Sequence, residues 1–414
     1  MNIEFEYWWL LILPLFFTLG WIAARVDIKQ LIAESTALPA AYFKGLNFLI
    51  SDQHAKAVEA FSEAVQANTD SLELHFALGS LFRRTGETDR AINMHLNLLD
   101  KKELTGNQRS AVKAELAQDY LKAGLYDRAE ELFKSLDDTR YRQPALHALL
   151  EIYVREREWL QAIEAATELE RLSGVPFRRE IAQYYCELAM NALIAQNQDV
   201  ARVQLNLALD ANKNCVRANV LLGDLEASNG EHQAAISHWK RIEFQQPEYL
   251  GLIANKMLKS YRALEPENGD QLKQGLAQLN TYLETYKLSS LMSALYEATL
   301  AEEGAEKAAK LARNELIRQP SLTTLDQLLQ ARAMADETSA KKPASKQHNN
   351  QDIQLMQQTV RNAIGNRAAY HCNQCGFRAK QHHWQCPACN AWEALPAEPS
   401  EAISREMTVK KINK

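Results

Sequence analysis

Residues 189–242 read AMNALIAQNQDVARVQLNLALDANKNCVRANVLLGDLEASNGEHQAAISHWKRI, and they contain the same pattern twice. Ala189, Ala201, Leu205 and Ala208 return thirty-four positions later as Gly223, Ala235, Trp239 and Ile242. The step also occurs nearer the amino terminus, where Gly45, Ala57, Phe61 and Ala64 are followed by Gly79, Ala91, His95 and Leu98. Two antiparallel helices approach closely only where side chains are small, and a large residue one turn on fills the space to the next hairpin. Glycine stops the first helix in Arg84-Thr85-Gly86-Glu87, Lys122-Ala123-Gly124-Leu125 and Ser228-Asn229-Gly230-Glu231.

A period of about 34 with this small/large signature is that of tetratricopeptide repeats. Further copies centre on Ala129 with Phe133 and on Ala162 with Ala166, offset by insertions such as Thr105–Asn107. A weaker copy runs from Tyr296 through Ala308 to Pro320, and Leu250 to Tyr286 reads as a degenerate one, giving roughly seven units. An irregular bundle would not repeat at four positions in two separate places. Composition agrees: 15 glycines and 11 prolines in 414 residues are too few for a turn-rich β fold. The net charge of −5 marks the whole chain for neither nucleic acid nor a membrane surface.

At the amino-terminal end, Tyr7 to Ala24 (YWWLLILPLFFTLGWIAA) carries no charge. As a helix it reaches roughly 27 Å, near the ~30 Å of a bilayer core. Trp8, Trp9 and Trp21 flank it at headgroup depth. A cleaved signal peptide would begin with basic residues, whereas this start has Glu4 and Glu6. Arg25 and Lys29 follow the stretch, so the positive-inside rule puts the bulk of the protein in the cytoplasm.

At the other end stand two C-x-x-C pairs, Cys372/Cys375 and Cys386/Cys389, four of the six cysteines. Paired knuckles of this kind converge four thiolates on one ion, which suits zinc, or iron as in rubredoxin. A closed set of four cysteines has no open position for substrate and predicts a structural role. Such thiolates survive best in a reducing compartment. A redox dithiol needs one pair, not two. His371, His382 and His383 are expected at the surface or behind the ligands, and Trp384 and Trp392 as packing residues against the ribbon or the last repeats. Cys186 and Cys215 read as free cysteines buried in the array. Asp336 to Gln351 reads as a flexible linker, followed by a short helix with Ile353, Met356, Val360 and Ile364 on one face. From Lys341 to Trp392, Asp352 is the lone acid among several basic residues; Arg361, Arg367, Arg378 and Lys380 would be the footprint of nucleic-acid binding, the weaker reading. No P-loop, G-x-G-x-x-G, H-E-x-x-H or G-x-S-x-G motif is present, and no enzyme is predicted.

Together, the anchor, the repeats and the terminal C-x-x-C-G-F…W-x-C-P-x-C-x-x-W resemble the lipopolysaccharide assembly protein B family of Gram-negative bacteria. Gly45-Leu46-Asn47-Phe48-Leu49, Ala123 to Glu130 and Tyr185 to Ala189 carry the resemblance further. Glu4 and Glu6, a longer linker near Ala340–Asn350 and an extended tail after Trp392 depart from it.

The resemblance implies an all-α tetratricopeptide-repeat superhelix with an N-terminal transmembrane helix and a small C-terminal rubredoxin-like zinc ribbon. Its metal ligands would be Cys372, Cys375, Cys386 and Cys389. It further implies an inner-membrane adaptor that promotes proteolysis of the LpxC deacetylase by the membrane AAA protease FtsH, and so limits lipid A synthesis. A second inner-membrane protein, which senses lipopolysaccharide, would antagonise it. A scaffold for a different envelope complex is the alternative, and no nucleic acid is expected as partner. The expected layout is an anchor at 1–24, a juxtamembrane linker at 25–40, the array at 41–330, a linker with a short helix at 331–366, the metal-binding domain at 367–396 and a tail at 397–414.

Overall fold

The computed structural model describes residues 17, 18, 21, 40–67, 71–136, 138–264, 270–338, 345–365 and 369–399, leaving aside the side chains of 336–338 and 345–351. Apart from residues 17, 18 and 21, the expected membrane anchor lies outside these residues, as does the end of the tail. Among the described residues no helix is long and apolar enough to cross a membrane.

The chain forms two compact units, divided after Glu156. The first holds α1 (Ala40–Ile50), α2 (His54–Ala67), α3 (Leu72–Thr85), α4 (Thr88–Leu99), α5 (Gly106–Ala123), α6 (Tyr126–Lys134) and α7 (Thr139–Glu156). The second begins with α8 (Trp159–Ser173), α9 (Arg178–Ile194), α10 (Gln198–Ala211), α11 (Val216–Ser228), α12 (His232–Lys240) and the short α13 (Ile242–Gln245). It continues through α14 (Leu250–Leu264), α15 (Asp270–Tyr286), α16 (Ser290–Glu303), α17 (Ala305–Arg318), α18 (Leu322–Thr338) and α19 (Ser345–Gly365). Two short strands, β1 (Tyr370–His371) and β2 (Arg378–Ala379), pair antiparallel.

The repeat signature works as the pattern requires. A Cβ on Gly45 would come within 2.8 Å of the Phe61 ring, and one on Gly223 within 2.2 Å of Trp239 Nε1. Each glycine thus gives the large residue of the second helix a place to lie flat. Trp239 is fully buried there and donates its indole N–H to the Val220 carbonyl at 3.3 Å. Turns are equally regular. The amide of Glu87 reaches the Phe82 carbonyl at 2.8 Å, Leu125 reaches Tyr120 at 2.9 Å and Glu231 reaches Glu226 at 2.9 Å. In each case a left-handed glycine precedes the donor: Gly86, Gly124 and Gly230. This closure satisfies carbonyls that the helix end leaves open.

The stretch from Leu250 to Tyr286 is a complete hairpin whose signature is inverted. The glycine where its two helices meet, Gly275, sits on the second helix, and a Cβ there would meet the ring of Tyr261 on the first at 2.5 Å. Chain expected to be a flexible linker is helical on both sides, α18 ending at Thr338 and α19 beginning at Ser345. α19 packs along α18 with Ile353, Val360 and Ile364 half-buried while Met356 is exposed, and Arg361 Nε donates to Asp326 Oδ1 at 3.0 Å.

Candidate metal centre and its seat on the repeats

The ribbon consists of two copies of one turn. In the first, the Cys372 amide donates to the Phe377 carbonyl at 2.8 Å and the Gly376 amide to the Cys372 carbonyl at 2.9 Å. In the second, Cys386 donates to Ala391 at 2.9 Å and Asn390 to Cys386 at 2.9 Å. Both turns need a left-handed residue directly after the second cysteine, supplied by Gly376 (φ 74°) and Asn390 (φ 57°), the two residue types that adopt it most cheaply.

The turns bring four sulfurs together. Cys372 Sγ and Cys389 Sγ are 3.8 Å apart, Cys375 Sγ and Cys386 Sγ 3.7 Å, and all four lie within 4.8 Å of one another. A tetrahedron with metal–sulfur bonds of ~2.3 Å has edges of about 3.8 Å, so the spacing fits one ion. Backbone N–H groups of Cys375 and Gln374 face Cys372 Sγ and hold that thiol down at about 6. Phe377 N–H lowers Cys375 likewise, but desolvation and the neighbouring sulfurs outweigh it and push that thiol up to about 12. Four crowded sulfurs shed one proton readily and give up the rest to a cation. Among the described residues the ribbon's buried apolar core is Ala379, Ala394 and Leu395 with Cys372 and Cys386, with Tyr370, Phe377 and Ala391 half-buried against it, too little to hold thirty-odd residues by itself. His371, His382 and His383 are not in the cluster.

The ribbon is seated on the repeats of the second unit through contacts at or just before the amino-terminal halves of α8, α9, α11, α14 and α16. The Trp392 ring lies edge-on to Trp159 and Tyr184, with centroids 6.3 and 6.2 Å away, and the Arg217 guanidinium lies 5.7 Å from its centre. Beside it, Gln183 Nε2 donates to Glu393 Oε1 at 2.7 Å. Trp384 stacks on Tyr249 at 5.2 Å with planes 3° apart. Farther on, Glu398 accepts from Ser289 Oγ at 2.6 Å and from the Ser290 amide at 3.0 Å, while Ala397 is buried in the core of the repeats. Residues expected in the tail therefore form part of the seat.

Both tryptophans are packing residues, as expected. The histidines were expected at the surface or behind the ligands, but His382 is wedged edge-on between Tyr249, Trp384 and Tyr370. Burial pulls its pKa down to about 4, so the ring is neutral where it sits. The seat was not foreseen because Gln183, Tyr184, Arg217, Tyr249 and Ser289 belong to a periodic background, and only their pairing with residues far along the chain singles them out. Cys186 and Cys215 are buried as expected, with sulfurs 3.8 Å apart.

Residues 370–396 match the rubredoxin metal binding domain family. Over 389 residues the chain is 32% identical to lipopolysaccharide assembly protein B of Escherichia coli, covering 93% of this chain and 96% of that protein. The Haemophilus influenzae protein of the same name is 28% identical over 395 residues, again covering 93% and 96%. Among solved structures, the C-terminal part of a TPR repeat-containing protein from Cytophaga hutchinsonii aligns with a TM-score of 0.36 and 15% identity, over 61% of this chain and 99% of that one. With repeats, ribbon and near end-to-end similarity in one chain, the protein belongs to the lipopolysaccharide assembly protein B family.

Proposed function

We propose that this protein is an inner-membrane adaptor in lipopolysaccharide assembly, a binding scaffold and not a catalyst. Its array holds a soluble client, the LpxC deacetylase, and residues 7–24 tether it beside the membrane protease FtsH. A lipopolysaccharide-sensing membrane protein opposes it. Tethering acts by concentration: a client held on a short tether faces the protease at an effective concentration of order millimolar.

Cys372, Cys375, Cys386 and Cys389 hold one zinc or iron ion that folds the ribbon. The ion's task is structural, because four cysteines close its coordination. What supports the adaptor reading most is the similarity to lipopolysaccharide assembly proteins along 93% of the chain. Nucleic-acid binding through the ribbon is disfavoured, since Arg361 is committed to Asp326 and Lys380 to the Gly365 carbonyl at 3.0 Å.

Affinity purification of the full chain from membranes in mild detergent tests the reading. A membrane AAA protease and a soluble deacetylase should copurify, and deleting residues 1–24 should abolish down-regulation of the deacetylase. Full regulation by the truncated form would refute the tether, and recovery of neither partner would refute the adaptor.

A further inference from the structure

Three cations in the first unit share one repeat position. Arg84, Lys122 and Arg155 each lie two residues before the left-handed residue that follows a first helix: Gly86 (φ 82°), Gly124 (φ 77°) and Arg157 (φ 60°). At other first-helix ends the same position holds Ile50, Ile194, Ser228 and Glu302, ahead of Asp52, Gln196, Gly230 and Gly304. Packing therefore does not demand the cations, and they are confined to three successive hairpins.

All three line a single cleft of about 600 Å³, together with Arg83, Gln118 and Tyr126. Two of its cations are fixed from behind. Arg83 donates to Asp119 Oδ1 at 2.6 Å and to Glu115 Oε2 at 2.6 Å, and the fully buried Asp119 also binds the His95 ring at 2.5 Å. Arg155 is held by Glu151 at 2.7 Å and by the Tyr126 hydroxyl at 3.2 Å. Arg84 and Lys122 make no ion pair among the described residues. Glu151 is the sole acid in the lining.

We propose that this cleft binds an acidic, extended segment of a partner protein, its carboxylates meeting Arg84, Lys122 and Arg155 in turn. Neighbouring hairpins stack at about 10 Å, so three cations span roughly 20 Å, the reach of about six extended residues at ~3.3 Å each. The chain docks its own ribbon in a comparable way, with Glu393 on Gln183 and Glu398 on Ser289 and Ser290. No segment of the chain outside the described residues carries three carboxylates within six positions, as three cations in a row require; these segments hold at most pairs such as Glu4 and Glu6, Glu265 and Glu267, or Glu401 and Glu406. The occupant is therefore a second protein. This inference deepens the adaptor reading by naming the chemistry of the client, and it rests on that reading for the client's role.

The test uses the full chain in neutral detergent and two fluorescein-labelled twelve-residue peptides, one with glutamate at alternate positions and one with lysine there. The glutamate peptide should saturate, weaken with added salt and lose at least ten-fold in affinity to R84E/K122E, with R84Q/K122Q in between and melting unchanged in both. Equal binding by the variants, preference for the lysine peptide, or displacement of the glutamate peptide by equimolar inorganic phosphate or phosphatidylglycerol vesicles would overturn the proposal. Copurification separates this outcome from the adaptor reading. If R84E/K122E loses the peptide yet still brings down protease and deacetylase, the cleft is not the client's dock and the adaptor stands. If the unaltered chain binds the peptide but recovers neither protein, the adaptor falls and the acidic-segment site remains.

Discussion

The first helices of the hairpins meet two different fates in the two units. In the second unit their amino-terminal halves carry aromatic and hydrogen-bonding residues, Tyr184, Gln183 and Arg217 among them, and the ribbon lies on them. In the first unit their carboxy-terminal ends carry Arg84, Lys122 and Arg155 around an open cleft. Hairpin interiors are alike in both, a small residue against a large one. The difference shows that the repeat determines the fold while positions outside the small/large contact determine what each surface accepts.

Removing the metal should produce the largest break in that contrast. Cys386 is fully buried, and Cys386→Ser should lower bound metal to near zero and expose the ribbon to protease while the first unit remains resistant. Metal analysis and limited proteolysis measure both, and unchanged metal content would remove Cys386 from the ligand set. Next is Trp392→Ala, which removes the ring that lies edge-on to the stacked Trp159 and Tyr184 and should weaken the seat by about 2 kcal/mol with metal retained. Metal loss in this variant would mean that folding and docking of the ribbon are one event.

An effect of similar size should be shared by the two units. Gly79→Ala places a Cβ 2.4 Å from the His95 ring, and Gly223→Ala places one 2.2 Å from Trp239. Each should cost about 1–3 kcal/mol in denaturant unfolding, and a neutral result at one alone would show that the interiors differ. Smallest is a pH effect in the second unit. Burial holds the seated His382 at about 4, so protonation favours the undocked ring. The seat is therefore at full strength above the ordinary histidine pKa of ~6.5 and weakens as pH falls from there towards 4. Docking should weaken about threefold from pH 7 to pH 6 on this account, and His382→Phe should remove that slope. An unaltered slope in the variant would assign it elsewhere.

Much of the architecture was legible because a small residue facing a large one sixteen positions on, a pair that recurs every thirty-four, leaves a mark in the sequence. Where the pair is inverted, as with Tyr261 and Gly275, the mark reads as degeneracy although the hairpin is complete. The four cysteines were equally legible, since knuckle geometry is local and Gly376 and Asn390 sit beside them. The seat was not, because Gln183 and Glu393 are ordinary polar residues until folding places them 2.7 Å apart. The cationic ladder lies between these cases. Arg84 and Lys122 stand in the very turns that mark the repeats, and aligning those turns exposes the pattern.

Hydrogen exchange along the whole chain, before and after a chelator removes the metal, tests the central claim most directly. Protection should fall in residues 370–399 and at the amino-terminal ends of α9, α11, α14 and α16, while α3, α5 and α7 keep theirs. Loss confined to the ribbon would contradict a metal-dependent seat on the repeats, and equal loss in both units would contradict the division between a clasped surface and an open one.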